Sequence, residues 1–250
     1  MDKKHIELAL LNIDKFGDTD IFPYTIEKQI FFDNKNDVVK HIQNIHAKYS
    51  EYLDKLPPVN ISTFSPVGYT GFRWATQIDP VWNAYFLSLV LSIADKIEKE
   101  RIQTSKKIVH SYRYSPDNKN GTLFDSDINW QSFQRQSLEI VKNSDFQFVV
   151  ACDVADYYSR IYHHKLENAL LRLGLVNDTP KRIIDVLQKF SGTNSYGLPI
   201  GGPAARILAE LALNNTDKIL QMNGIIFTRF VDDIHLFAKT EEEAHASLNY

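Results

Sequence analysis

Asp232 and Asp233 stand side by side within IIFTRFVDDIHLFA, residues 225–238, between two apolar, β-prone runs with almost no chain left over for a loop. The pattern predicts a tight β-hairpin with both carboxylates at its tip. Hairpin turns ordinarily use Asn-Gly or Asp-Gly, and adjacent like charges repel. An Asp-Asp tip therefore calls for a cation, unless it is simply a solvated turn. A second apolar run, FQFVVACD, ends in a lone carboxylate at Asp153. Mg²⁺ takes oxygen ligands in near-octahedral geometry and keeps water or substrate phosphate in the rest of its shell. Two such ions about 3.5–4 Å apart activate an attacking hydroxyl and stabilise the leaving oxygen of an in-line displacement. Three carboxylates on strand ends thus point to phosphoryl transfer. Asp153, Asp232 and Asp233 are the expected catalytic and metal-binding residues, with two Mg²⁺ as cofactor and Mn²⁺ as a substitute.

Three further constellations bear on that chemistry. In DVADYYSRIYHH, 153–164, the chain turns after Asp153 and presents Tyr157 or Tyr158. An aromatic ring beside a nucleotide sugar excludes a 2′-hydroxyl by volume; Tyr158 is read in that role and Tyr157 as core. Adjacent His163 and His164 do not share a helix face and have no suitably placed partner, so a helix-start role is preferred to zinc. In GLPIGGP, 197–203, glycines permit close approach of backbone to a ligand ahead of a helix N-terminus, although a Gly-Pro loop before a helix is more often just a connector. Arg206 either reaches phosphate or template or, the preferred reading, pairs with Glu210 one turn along. Arg113 in SYRYS and Arg73 in GFRWA lie in aromatic, strand-like surroundings. Their planar forks suit a triphosphate, while stacking on Tyr112 or Trp74 is the alternative.

The elements that must hold these residues can be read from pattern. Residues 1–56 read as mixed helix. ISTFSPVGYTGFRWATQ reads as strand and loop, and Asp79-Pro80 opens a helix running from about 81 to 101. A strand over 107–115, a turn at 116–121, a helix over 130–141 and a strand over 146–153 follow. Helices near 164–173 and 179–190 precede the Gly-Pro loop, whose Pro203 opens a helix to 222. The hairpin comes next, and EEEAHASLNY begins a last helix. This order is an α+β pattern with an antiparallel sheet.

Bulk properties constrain the partners. At 250 residues with 44% hydrophobic and 24% charged content, the chain can bury a substantial core as one domain or two packed subdomains. A net charge of −3 gives no global nucleic-acid signature, so any basic surface must be local. Residues 99–113, with Lys99, Arg101, Lys106, Lys107 and Arg113 against Glu100, are the candidate. The single Cys152 excludes an internal disulfide, fits a reducing cytosol and reads as a packed core thiol. The first residues are charged and interrupted, unlike a signal peptide, and no apolar run is long enough for a membrane span. A cytoplasmic protein without a membrane partner is the expectation.

The ordered motifs resemble a known family. Asp153-Val-Ala-Asp-Tyr-Tyr, then GLPIGGP, then Phe-Val-Asp-Asp at 230–233 are similar in order and spacing to the successive palm motifs of reverse transcriptases. GFRWATQIDPVWNAYF and VHSYRYS extend the resemblance into the fingers and resemble the bacterial abortive-infection and defence-associated branch. The resemblance covers roughly 70–245 and names nothing over 1–60. It implies an α+β right-hand polymerase: an N-terminal helical extension at 1–60, fingers at 61–145, and a palm at 146–250 whose antiparallel sheet packs on helices.

By the same resemblance Asp153 and Asp232 are the principal metal ligands, Asp233 the second carboxylate of the hairpin and Tyr158 the sugar-sensing aromatic. Gly201 lies beside the templating pair and Arg113 near the triphosphate. The implied reaction is attack of a 3′-hydroxyl on the α-phosphate of a dNTP along an RNA template, giving a DNA product in antiphage defence, with an associated RNA or protein as a further partner. Template-independent or protein-primed synthesis, and a catalytically idle palm that regulates nucleic acid or a partner, are the alternatives. Ile200 stands where retroviral and retron enzymes carry Gln, and Phe230 replaces the more usual Tyr. Only 17 residues follow Asp233, so the remaining palm strands and the thumb are expected to be missing from this sequence.

Overall fold

The computed structural model describes residues 1–19, 27–67, 69, 71–143 and 145–249. Four helices open the chain: α1 (Lys3–Phe16), α2 (Glu27–Asp33), α3 (Lys35–Ala47) and α4 (Tyr49–Lys55). An antiparallel hairpin of β1 (Asn60–Val67) and β2 (Gly71–Ile78) leads into α5 (Pro80–Glu100). As the capping residue before a proline predicts, the Asp79 carboxylate accepts from the amides of Val81 and Trp82 at 3.1 and 3.0 Å. Helix α5 is buried around most of its circumference, which makes it the central helix of the core. It packs against α1, α3, α9 (Thr179–Ser191) and α10 (Pro203–Met222).

Next come a short hairpin, β3 (Tyr114–Asp117) and β4 (Thr122–Phe124), and α6 (Trp130–Asn143). Strand β5 (Phe148–Asp153) is followed by α7 (Tyr157–Arg160) and α8 (His163–Arg172). After α9 and α10, the strands β6 (Ile226–Phe230) and β7 (Asp233–Ala238) and helix α11 (Glu241–Ser247) complete the described chain. Strands β5, β7 and β6, in that spatial order, form an antiparallel sheet. The α+β class expected from the pattern is the observed one.

Register divides this sheet chemically. Asp153 lies opposite Asp233, Ala151 opposite His235, and Phe230 opposite Asp233 across the other ladder. Side chains alternate along a strand, so these residues share one face. On the other face Val150, Cys152, Ile234, Leu236 and Phe227 pack with Ile102 and with Leu220 of α10. Burial raises the Cys152 thiol pKa, consistent with a packed thiol.

Four expectations are corrected. The hairpin tip is Val231-Asp232, because Phe230 already pairs with Asp233; pairing with β5 draws Asp233 into the strand. Residues 107–113 do not form a strand. They run as an irregular segment that exchanges two backbone bonds with Arg229, His110 N to Arg229 O and Arg229 N to Ile108 O, both 2.8 Å. Tyr112, at φ 42°, breaks extended geometry there. The proposed basic face over 99–113 loses Arg101 and Arg113, which are 5% and 3% exposed and turn into the interior. Glu210 does not serve Arg206: it is taken by Arg101, Arg229 and Ser111, while the Arg206 guanidinium lies over the Tyr112 ring at 5.0 Å.

Candidate active site

The end of the β5–β7–β6 sheet that carries Asp232 and Asp233 opens into a cleft of about 470 Å³. Asp232 and Asp233 line it with Val231 and Phe230, Tyr157 and Tyr158 stand beside Asp156 and Ser159, and Phe72, Trp74, Tyr112 and Ile200 complete the lining. Asp153, exposed at the end of β5, faces Asp233 directly across the ladder. The Val154 amide donates to the Asp232 carbonyl at 3.2 Å, tying the turn to the chain just beyond Asp153. Burial first, and the Asp153 charge second, push the Asp233 carboxyl above its ordinary pKa.

Tyr157 and Tyr158 differ in burial. Tyr157 is buried and its hydroxyl donates to the Ala209 carbonyl at 2.5 Å, a core role. Tyr158 is half-buried on the cleft wall, and burial holds its pKa well above the ordinary value, so its hydroxyl stays neutral. Its carbonyl accepts from the Leu198 amide at 2.8 Å, fixing it to the Gly-Pro loop. That loop is in turn bonded to β2: Thr76 N donates to Ile200 O at 3.1 Å, and Ile200 N donates to Thr76 Oγ1 at 3.3 Å. These bonds hold the aromatic face of the first hairpin, with Phe64 and Trp74 at 3.9 Å between ring centroids, beside the cleft.

Other candidate residues are placed elsewhere. Gly201, at φ 123°, turns the chain into α10 and lines a neighbouring cavity with Pro203 and Arg206. Arg113 is not a lining residue of the carboxylate cleft. Its guanidinium pairs with Glu98 and donates to the Ile102 carbonyl at 2.9 Å, and burial lowers its pKa to about 10. The Arg73 side chain lies outside the described residues. His163 is buried at the start of α8 with Nε2 2.8 Å from the Gly197 carbonyl, the helix-start role expected of it.

Beneath the carboxylates lies a set of charges that the sequence reading did not assemble. Arg229, fully buried, donates to both Asp217 oxygens at 2.7 and 2.6 Å and to Glu210 at 2.9 and 3.3 Å. Its Nη1 also donates to the Val231 carbonyl at 2.8 Å, in the turn that carries Asp232. Glu210 further accepts from Arg101 and Ser111, both at 2.6 Å. Burial pushes the Glu210 carboxyl up, but Arg229 and Arg101 outweigh it and hold its pKa below the ordinary value. Through Glu98 the network reaches Arg101 and Arg113, so three guanidiniums meet three carboxylates.

Among the described residues no three His, Cys, Asp or Glu side chains converge as a ready-made metal cluster. The donor set nevertheless fits hard divalent cations. Asp153 and Asp233, from the ends of adjacent strands, and Asp232, from the turn between β6 and β7, supply only oxygen, and the Asp153 charge adds to burial in raising the Asp233 pKa, a repulsion that a cation would relieve.

Residues 86–250 match the family model described as Reverse transcriptase (RNA-dependent DNA polymerase), well over half of the sequence. The chain belongs to the reverse transcriptase family, whose members are nucleotidyltransferases. No curated protein matches it at a significant level. Its fold is similar to chains of two solved assemblies, "Partial Cas6-RT-Cas1--Cas2 complex" and "Cas6-RT-Cas1--Cas2 complex". Each shows 17% identity and a TM-score of 0.50 over 97% of this chain, which spans 38% and 24% of the two matched chains. No described helix is long and apolar enough to cross a membrane.

Proposed function

We propose that this chain carries the polymerising centre of an RNA-directed DNA polymerase, with residues 61–145 as fingers and 146–250 as palm. The observation that carries the reading is the pairing of Asp153 with Asp233 beside the Asp232 turn, where Asp232 and Asp233 line an aromatic-walled cleft. In this reading Asp153 and Asp232 are the principal ligands of two Mg²⁺ ions, or of Mn²⁺, with Asp233 beside them. Bound there, the ions lower the pKa of the attacking 3′-hydroxyl and neutralise charge developing on the triphosphate. In this reading Tyr158, which lines the cleft, meets the sugar of a dNTP and excludes a 2′-hydroxyl. Phe72 and Trp74 offer apolar surface to a base, and Ile200 offers no side-chain hydrogen bond where a Gln would.

A role in bacterial antiphage defence, with an associated RNA or protein partner, is supported by the motif resemblance and by fold similarity to the Cas6-RT-Cas1–Cas2 assemblies. The test offers purified protein labelled dNTPs and Mg²⁺, with and without a primed RNA template. Template-dependent extension supports the reading. Equal incorporation without template would instead make the chain a template-independent or protein-primed polymerase. Absence of any incorporation, with nucleic acid still bound, would make it a regulatory palm.

A further inference from the structure

Val231 adopts φ 56° at the tip of the β6–β7 hairpin. A two-residue hairpin turn demands positive φ, and Gly or Asn ordinarily supplies it. A β-branched residue in the left-handed region is a genuine outlier, and such strain persists only where the surroundings over-determine the backbone. Here they do. The Val231 side chain is packed into the main core, its carbonyl accepts from Arg229 Nη1 at 2.8 Å, and the next carbonyl, of Asp232, accepts from Val154 N.

Arg229 can hold that carbonyl because the rest of its fork is already fixed. Nε and Nη2 are anchored on Asp217, and Nη2 and Nη1 on Glu210, both from α10, the helix that starts at the Gly-Pro loop. We infer that Arg229 is a positioning residue for the metal site: its guanidinium clamps the strained Val231-Asp232 turn to α10 and so sets where the Asp232 carboxylate stands relative to Asp153. This rests on the metal-binding reading proposed above and adds to it the group that fixes the site's geometry. Lys cannot replace Arg229, because a point charge on a flexible stem cannot engage two carboxylates and a carbonyl in one plane.

The test reads Mn²⁺ binding directly, by electron paramagnetic resonance of the free ion, beside dNMP incorporation and a urea melt. Arg229→Lys keeps the charge but releases the turn. It is expected to weaken Mn²⁺ binding about tenfold, the low end of what loss of a ligand-orienting partner does. Adding Val231→Gly to Arg229→Lys restores most of that affinity, because Gly takes positive φ without support. Glu98→Gln perturbs the same ionic cluster without touching the turn; it lowers the melt and leaves Mn²⁺ affinity at the wild-type value. Wild-type affinity in Arg229→Lys, failure of Val231→Gly to restore it, or an equal loss in Glu98→Gln overturns the inference. Wild-type protein that binds no Mn²⁺ overturns it too. The expected binding pattern in a protein that incorporates no nucleotide supports the positioning role while refuting the polymerase.

Discussion

The buried ionic cluster makes a quantitative prediction for Glu210→Gln. Gln is nearly isosteric, so the substitution leaves the packing of α10 intact and removes one negative charge. Glu210 is 1% exposed and accepts from Arg229, Arg101 and Ser111. The variant retains Asp217 against Arg229 and Glu98 against Arg101, but the cluster is left with one guanidinium too many. Gln also points an amide N–H₂ at groups that are themselves donors. Removing one partner of a buried ion pair costs about 3–5 kcal/mol, a large share of the roughly 5–15 kcal/mol that holds a typical domain together. Urea unfolding followed by tryptophan fluorescence reads the loss, and the midpoint is expected to fall by about 1 M or more. Glu100→Gln is the reference: its partner Lys218 is 38% exposed, and surface pairs of this kind are worth about 1 kcal/mol or less. A Glu210→Gln protein as stable as Glu100→Gln would refute the view that the cluster is closed and charge-balanced.

Tyr158→Val opens the cleft wall beside the proposed sugar position, so the preference for dNTP over rNTP should drop; an unchanged ratio of incorporation efficiencies removes Tyr158 from the gate. His46 offers a pH test of the N-terminal helices. Burial, and then the Arg182 charge, lower its pKa to about 4, and its Nδ1 lies 3.1 Å from the Arg182 fork as an acceptor. The unfolded chain, with an ordinary histidine near 6.5, binds this proton first, so stability is full above pH 6.5 and declines as pH falls toward 4. His46→Gln should flatten that decline in urea midpoints measured across the range, and an unaltered slope would assign the acid sensitivity to another group.

Much of the framework was legible because local chemistry and tertiary structure agree. Asp79-Pro80 caps α5, Pro203 opens α10, and the alternation over 225–238 forms the β6–β7 hairpin. The neighbouring placement of Asp153 and Asp233 was legible too, since each stands at the end of an apolar, β-prone run. What failed were charges whose partners are distant in sequence. Arg101 and Arg113 read as a basic surface because composition cannot tell a solvated guanidinium from one paired with Glu98 or Glu210. A usable sign was present nonetheless. Arg229 falls on the inward register of its strand, opposite Ile234, and Glu210 and Asp217 sit seven residues apart on the buried face of α10, which is otherwise apolar apart from Asn214. Oppositely charged residues on two apolar faces predict each other. The slip at the hairpin tip was of another kind: pairing with β5 absorbed Asp233 into β7 and moved the turn back by one residue, onto Val231.

The central claim is that Asp153, Asp232 and Asp233 hold the divalent ions of a polymerase, and nucleotide incorporation by Asp232→Asn tests it most directly. Asp232 is half-exposed at a turn, so its loss of charge should leave the fold and the urea midpoint unchanged. The account predicts Mg²⁺-dependent incorporation by the wild type and none above background by Asp232→Asn. Incorporation at the wild-type rate by the folded variant would place the chemistry elsewhere in the molecule.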